Sequence, residues 1–210
     1  MPEKIDVLFS DNLIIRKIQD KLPKLFQLAE LESSRAGKIG MEVGSVREKI
    51  IIALLIWKFG EKNVETEIPI TEPEIDVRVM KNPISIKTIS GKTPTGVKLI
   101  WTVDAEKALE FQKHYKPTCD MLLVHINWEN GGGLYFIPVN VQSQVFRDMG
   151  RENYIRLPKP GTNPRGVEIT GKSLQALITH PMTKNIPINW KKENINFMPY
   201  ERWIDLWKQD

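Results

Sequence analysis

The order of apolar patterns between residues 45 and 141 constrains the fold of this chain more than any other feature. A helical pattern comes first, three runs typical of β-strands follow, and a second helical pattern precedes two more strand-like runs. The helical patterns cover 45–60 and 104–115, and the strand-like runs cover 63–70, 74–80, 84–90, 120–128 and 134–141. Gly131–Gly133 between the last two runs are typical of a hairpin. The order predicts an α/β fold with a central mixed β-sheet flanked by helices.

The residues before this core combine helical spacing with a glycine-rich stretch. Apolar residues recur at helical spacing over 11–34, and Pro23 predicts a break between two helices because proline lacks the amide that a helix interior needs. Three glycines within 35–44 predict a flexible loop.

The residues after 147 have a different character. A loop rich in proline and glycine, a brief strand at 167–170 and a short helix at 173–180 precede a tryptophan-rich tail at 188–210. Such a tail predicts a docked element or a subunit contact. We expect one domain over 1–210, with N-terminal helices and a loop at 1–44, a core at 45–147 and an extension at 148–210.

Composition and charge narrow the class of protein. Lys and Arg number 30 against 26 Asp and Glu, a net charge of +4 that only weakly favours a polyanionic partner. A single cysteine, Cys119, cannot form an internal disulfide and is typical of a reducing compartment. The N terminus lacks a signal-peptide pattern, and the longest apolar run, 50–57, is too short to span a bilayer. We therefore expect a cytoplasmic protein without a membrane partner.

The stretch "GVEITGKS" (166–173) matches the phosphate-binding pattern of nucleotide-binding proteins letter for letter. The residues before Gly166 are not a hydrophobic strand, and Val167–Thr170 include β-branched types that resist the left-handed backbone such a loop needs. We expect a strand, a glycine turn and a helix beginning near Ser173 instead, and no nucleotide cofactor.

Asp76 is the single acid of the strand-like run "IDVRV", and Lys87 is the single lysine of the neighbouring run "ISIKTIS". If the two runs pair as a hairpin, both side chains lie on one face within a few ångströms of each other. A carboxylate there can hold a divalent cation, and the backbone carbonyl of Ile86 is a further hard ligand. An ordinary cross-strand ion pair explains the two residues equally well when they are taken alone.

Glu48 also has two explanations. Ser45 stands three residues before it, which is the spacing of a helix capping box. At about 100° per residue, however, Glu48 shares the inward face of its helix with Ile51 and Leu55. An inward carboxylate needs a partner, and a metal ion or a lysine would serve.

Taken together, the helix acid, the strand acid and the strand lysine resemble the active site of the PD-(D/E)XK nuclease superfamily. The resemblance covers about 45–140, although Pro73 is not adjacent to Asp76 and Ser85 replaces the acid expected two residues before Lys87. It implies Glu48, Asp76 and Lys87 as catalytic residues and Asp76, Glu48 and the Ile86 carbonyl as Mg²⁺ ligands.

The stretches "GKIGMEVGSVREKIIIALL" and "PEIDVRVMKNPISIKTISGKTP" resemble a type II restriction endonuclease, and this likeness runs the length of the chain. It implies a restriction-endonuclease-like core and a homodimer that uses Mg²⁺ to cut both strands of double-stranded DNA within CGCG, leaving blunt ends.

Residues at the same edge of the core are candidates for DNA contacts. Met41 is either a plug on the helix or a wedge between base steps. The other candidates are polar or basic residues of two loops: Arg35, Lys38, Ser90, Lys92 and Thr93. Arg47 and Lys98 are basic residues near that edge, and "NVQSQ" (140–144) is either a base-reading loop or a helix cap.

Three functions remain open from the residues alone. A site-specific endonuclease gives discrete fragments, a structure-selective or repair nuclease gives ragged products or prefers branched DNA, and a non-catalytic DNA-binding protein binds without cutting. The three histidines are isolated and no G-x-S-x-G occurs, so other hydrolase sites are not favoured.

Overall fold

The structure is a computed structural model that describes residues 5–35, 38–40, 42–69, 71–129, 131–158 and 166–209. The helices are α1 (Asn12–Glu32), α2 (Val43–Phe59), α3 (Ala105–His114), α4 (Val139–Met149), α5 (Arg151–Tyr154), α6 (Gly171–Thr179) and α7 (Glu201–Trp207). The strands are β1 (Ser34–Arg35), β2 (Lys38–Ile39), β3 (Val64–Glu65), β4 (Val77–Val79), β5 (Asn82–Ser90), β6 (Gly96–Ile100), β7 (Asp120–Asn127), β8 (Gly131–Ile137), β9 (Ile155–Arg156), β10 (Val167–Thr170) and β11 (Lys184–Pro187).

Within the described residues, six strands form the central sheet in the order β11-β8-β7-β5-β4-β3. β5 and β7 run parallel, and the remaining pairs are antiparallel. The predicted mixed sheet is therefore confirmed. β6, β10 and β9 form a separate small antiparallel sheet, and β1 pairs with β2.

Two apolar clusters cover the two faces of the central sheet, as expected for a strand such as β7 that is buried on both sides. One cluster joins α1 and α2 to the face that carries Ile84, Ile86 and Leu122. The other joins α4 and α6 to the face that carries Ile89 and Leu123.

α1 is one continuous helix, so the predicted break at Pro23 is wrong. Asp11 caps the helix by accepting hydrogen bonds from the amides of Leu13 and Ile14. Pro23 is buried on the packed face beside Leu22 and Phe26. Burial of that stripe on both sides of Pro23 outweighs the single backbone hydrogen bond that proline removes.

α2 begins two residues before Ser45, so the predicted capping box is also wrong. Glu42 occupies the N-cap position without a side-chain capping bond, and Ser45 is an exposed residue of the first turn. The helix ends as predicted at Gly60, whose φ of +82° favours glycine.

The predicted strands form at the expected positions in the sequence, but several of them are shorter than predicted. β3 and β4 hold two and three residues, and the run at 134–141 ends at Ile137 because Pro138 precedes α4. The stretch 140–144 is therefore helical. β6, α4 and β11 were not predicted, and the expected loop at 35–44 contains part of the β1–β2 hairpin and the start of α2.

The stretch that matches the phosphate-loop pattern contains a strand over its inner residues, as predicted. β10 pairs with β6 and β9, and α6 starts at Gly171, two residues earlier than expected. Thr170 caps this helix through the amide of Ser173. Among the helices of the described residues, none has the length and apolarity needed to cross a membrane.

Candidate active site

The β4–β5 hairpin brings Asp76 and Lys87 into contact. The strands pair with Val77 opposite Ile84, and a two-residue turn at Met80 and Lys81 joins them with φ values of +48° and +69°. Such a turn matches the twist of the two strands. Pro83 lies within β5 and outside this turn.

One oxygen of Asp76 collects three hydrogen bonds. Oδ2 lies 3.1 Å from Lys87 Nζ, 2.6 Å from the amide nitrogen of Ile86 and 3.2 Å from Ser85 Oγ. Both charged side chains are about four-fifths buried, with exposed fractions of 17% for Asp76 and 15% for Lys87. The pair is therefore held more firmly than a surface ion pair.

Glu48 is half-buried on the first turns of α2 and electrostatically coupled to this pair. Burial raises the pKa of its carboxyl above the usual value, and the negative charge of Asp76 raises that pKa further. Lys87 and Lys49 oppose the shift. Ile51, Leu55 and Phe59 on the same helix are buried, so the helix does turn this face inward.

These donors suit a divalent cation. Oδ1 of Asp76 takes none of the three hydrogen bonds, and burial together with the charge of Asp76 disfavours the anionic form of the Glu48 carboxyl, which a cation would stabilise. The amide and carbonyl of one strand residue point the same way, so the Ile86 carbonyl faces Asp76 as its amide does. Oxygen donors of this kind are ligands that Mg²⁺ prefers.

The acidic donors are few. Within the described part of the chain, no group of three or more His, Cys, Asp or Glu side chains is placed to hold a metal ion. A cation bound beside Asp76 would therefore need water, backbone or phosphate oxygens as further ligands.

A buried ionic network holds the start of α2, and no pattern in the sequence indicates it. Arg47 donates to Glu30 Oε1 at 2.6 Å and to Ser90 Oγ at 3.0 Å. Glu30 also accepts a hydrogen bond from the indole N–H of Trp128 and forms an ion pair with Lys192. The partners come from α1, α2, the end of β5, the residue after β7 and the C-terminal segment, so no spacing pattern could have linked them.

Glu74 anchors the loop that precedes Asp76. Its carboxylate accepts hydrogen bonds from the hydroxyls of Tyr115 and Thr118. Asp76 continues this anchoring by donating its amide to the Ile84 carbonyl. The backbone on which Asp76 is mounted is thus fixed on both sides of the residue.

The predicted DNA contacts are placed unevenly. Met41 and the side chain of Arg35 lie outside the described residues, and Lys38 is exposed in β2. Ser90, Lys92 and Thr93 are exposed at and beyond the end of β5, with Lys92 Nζ 2.8 Å from Glu129. Arg47 is buried in the network above, so it is not available to a phosphate.

The helical stretch 140–144 does not form a reading loop. Gln142 is 1% exposed and donates to the carbonyls of Cys119 and Ile137. The stretch lies inside α4, whose N-cap is Pro138, so it is not a helix cap either.

Comparisons with known proteins agree on one type of enzyme. Residues 8–209 match a family model described as restriction endonuclease ThaI. A solved structure described as a restriction endonuclease in complex with substrate DNA has 60% sequence identity to this chain and a TM-score of 0.92. The match covers 98% of this chain and 99% of the other. None of the curated proteins compared with the chain matches it.

Proposed function

Because this chain is an endonuclease of the restriction endonuclease ThaI family, we propose that it hydrolyses phosphodiester bonds of double-stranded DNA at a short palindrome with Mg²⁺. The observation that supports this proposal is the contact between Asp76 and Lys87 beside a Glu48 carboxyl of raised pKa. The similar solved structure, which contains substrate DNA, supports the choice of ligand.

Asp76, Glu48 and the Ile86 carbonyl are the proposed cation ligands. Ser85 and the Ile86 amide hold Asp76 Oδ2, so that Oδ1 stays aimed at the cation site. When bound, the ion supplies a Lewis acid that polarises the scissile phosphate and lowers the pKa of a water molecule.

Lys87 has the remaining chemical role. Its ammonium is hydrogen-bonded to Asp76 and therefore lies close to the proposed cation site. From there it orients the attacking water and offsets the negative charge that develops on the phosphate oxygens. The surrounding burial strengthens this electrostatic effect because water screens it less.

The resemblance of the sequence extends the proposal to CGCG as the palindrome and blunt ends as the product. Two copies related by a twofold axis suit the cutting of two strands of a palindrome, so we propose a homodimer. Ser90, Lys92 and Thr93 are proposed to contact the backbone because they are exposed just beyond the catalytic strand. Lys38, Arg35 and Met41 remain candidates from the sequence.

The test is cleavage of a plasmid of known sequence with Mg²⁺, followed by sequencing of the ends. Discrete fragments with blunt ends at CGCG are expected, and Asp76→Asn is expected to bind a CGCG duplex without cutting it. Ragged products or a preference for branched DNA would indicate a structure-selective nuclease. Tight binding without cutting by the unmodified protein, with Mg²⁺ or Mn²⁺, would refute the catalytic role.

A further inference from the structure

The helix α7 exposes an apolar stripe. Tyr200, Trp203, Ile204 and Trp207 follow the i, i+3, i+4, i+7 spacing of one helix face, and their exposed fractions range from 40% to 90%. No residue of α7 is buried. A seven-residue helix is marginal in water by itself, so this stripe calls for a partner surface.

A second exposed apolar surface lies between α1 and α2. α2 buries Ile51 and Leu55 in the core, yet its opposite side is also apolar. Ile50, Ala53, Leu54 and Trp57 line an open cleft of about 400 Å³, and Ile18, Leu22 and Leu25 of α1 form the other wall. A helix that is apolar on all sides is normally covered on all sides.

The two surfaces match in spacing, and a pair of acids on one complements a pair of lysines on the other, although Asp205 also lies 3.6 Å from Lys208 at the end of its own helix. The stripe on α2 repeats the i, i+3, i+4, i+7 spacing of the stripe on α7. Glu201 and Asp205 are one helical turn apart on α7, and Lys17 and Lys21 are one turn apart on the α1 wall of the cleft. Lys17 Nζ lies 4.3 Å from the ring centroid of Trp57, which places this charge at the rim.

We propose that α7 of each protomer docks in the α1–α2 cleft of a second copy of this chain. The aromatic stripe fills the cleft, and Glu201 and Asp205 pair with Lys17 and Lys21. The exchange is reciprocal, as an isologous twofold interface requires. The inference rests on the homodimer of the proposed function and identifies its contact surface.

The C-terminal segment is built for such an exchange. Trp190 is buried against Phe26 and Trp128, and Glu193 bonds to Gln27, so the chain is fixed to its own α1 up to this point. The seven residues 194–200 can then span about 25 Å at most. That reach is about the diameter of a small domain, so it can carry α7 to a neighbouring molecule.

The test uses charge reversal in two separate proteins. One carries Lys17→Glu with Lys21→Glu, and the other carries Glu201→Lys with Asp205→Lys. Each protein alone presents like charges at both reciprocal contacts. Its dimer dissociation constant is expected to be about a thousandfold higher than that of the unmodified protein, because each substitution occurs at two symmetric contacts. An equimolar mixture restores opposite charges at both contacts, so it is expected to recover the dimer.

Analytical ultracentrifugation at several concentrations measures the result. Recovery in the mixture supports docking between two chains, because docking of α7 within its own chain leaves each protein mismatched. Dimers that persist in the separate proteins, a monomeric unmodified protein, or a mixture that stays monomeric would each overturn the inference. Plasmid cleavage by the unmodified protein is measured in parallel, so a failed interface is distinguished from a failed nuclease assignment.

The controls are matched in kind and position. Lys24→Glu reverses an exposed charge on α1 outside the cleft, and Trp101→Ala removes a tryptophan that is 59% exposed and distant in sequence from α7. Both are expected to leave the dimer unchanged, whereas Trp203→Ala with Trp207→Ala is expected to abolish it. Circular dichroism verifies that each variant is folded.

Discussion

At the scale of single residues, the two oxygens of the Asp76 carboxylate have different surroundings. Asp76 Oδ2 is committed to Lys87, Ser85 and the Ile86 amide, while Oδ1 takes none of these bonds. The Ser85 hydroxyl donates to Oδ2 and thereby orients Asp76.

Lys87→Ala is expected to lower the single-turnover cleavage rate by about 100-fold or more, because it removes a preorganised positive charge from the site. DNA affinity should change by less than about tenfold in a filter-binding or anisotropy assay. Lys113→Ala, an exposed lysine of α3, is the control. Unchanged cleavage by the Lys87 variant would show that the ion pair between Asp76 and Lys87 has only a structural role.

Glu48 makes stability depend on pH. Its pKa is raised in the folded protein above the ordinary value of 4.5, so the folded state binds the proton more tightly than the unfolded state. Stability attributable to this group therefore falls as pH rises from 4.5 through the raised pKa. Thermal unfolding of Glu48→Gln is expected to lack this fall. Mg²⁺ should also diminish it in the unmodified protein, since a bound cation favours the carboxylate.

At the scale of secondary-structure elements, Arg47 connects the helix and the strand that carry the proposed catalytic groups. Its side chain is 5% exposed and connects α2 to Glu30 of α1 and to Ser90 at the end of β5. Burial lowers the pKa of Arg47, and the carboxylate of Glu30 opposes that shift. The pair therefore fixes the helix that carries Glu48 relative to the strand that carries Lys87.

Arg47→Met is expected to destabilise the protein by about 3–5 kcal/mol, because it leaves the buried Glu30 carboxylate with less compensation. Urea unfolding measures the loss, and Arg147→Met, an exposed arginine of α4, is the control. Under conditions where the variant is folded, the cleavage rate should fall more than DNA affinity. A stability loss below about 1 kcal/mol would contradict the role of the network.

At the scale of the whole molecule, the C-terminal segment is part of the core up to Trp190 and a surface element beyond it. Trp190 is fully buried, whereas Trp203 and Trp207 are exposed. The two predicted roles of the tail, a docked element and a subunit contact, therefore concern different parts of it. The docked part is observed, and the subunit contact remains our proposal for α7.

Trp190→Ala is expected to lower the free energy of unfolding by about 3–5 kcal/mol, since it opens a large cavity between Phe26 and Trp128. Trp101→Ala should change that free energy by less than about 1 kcal/mol because the side chain is exposed. Equilibrium unfolding in urea compares the two. Equal effects would show that Trp190 is not a core residue.

The sequence by itself determined the main helices and strands from α2 to β8 apart from β6, the mixed character of the sheet and the enzyme family. It did so because apolar periodicity is a local property and because the stretches around Glu48 and Asp76 resemble a known family. It also predicted the contact between Asp76 and Lys87, since hairpin partners are close in sequence, although Asp76 lies one residue before β4.

Only the tertiary structure decided what depends on distant partners. The continuity of α1 through Pro23 and the start of α2 ahead of Ser45 follow from packing against the sheet, which overrides local helix signals. The Glu30–Arg47 pair joins two helices through residues that are 17 positions apart along the chain. Such contacts leave no periodic trace, because burial of the side chains in three dimensions, and not their spacing, selects them.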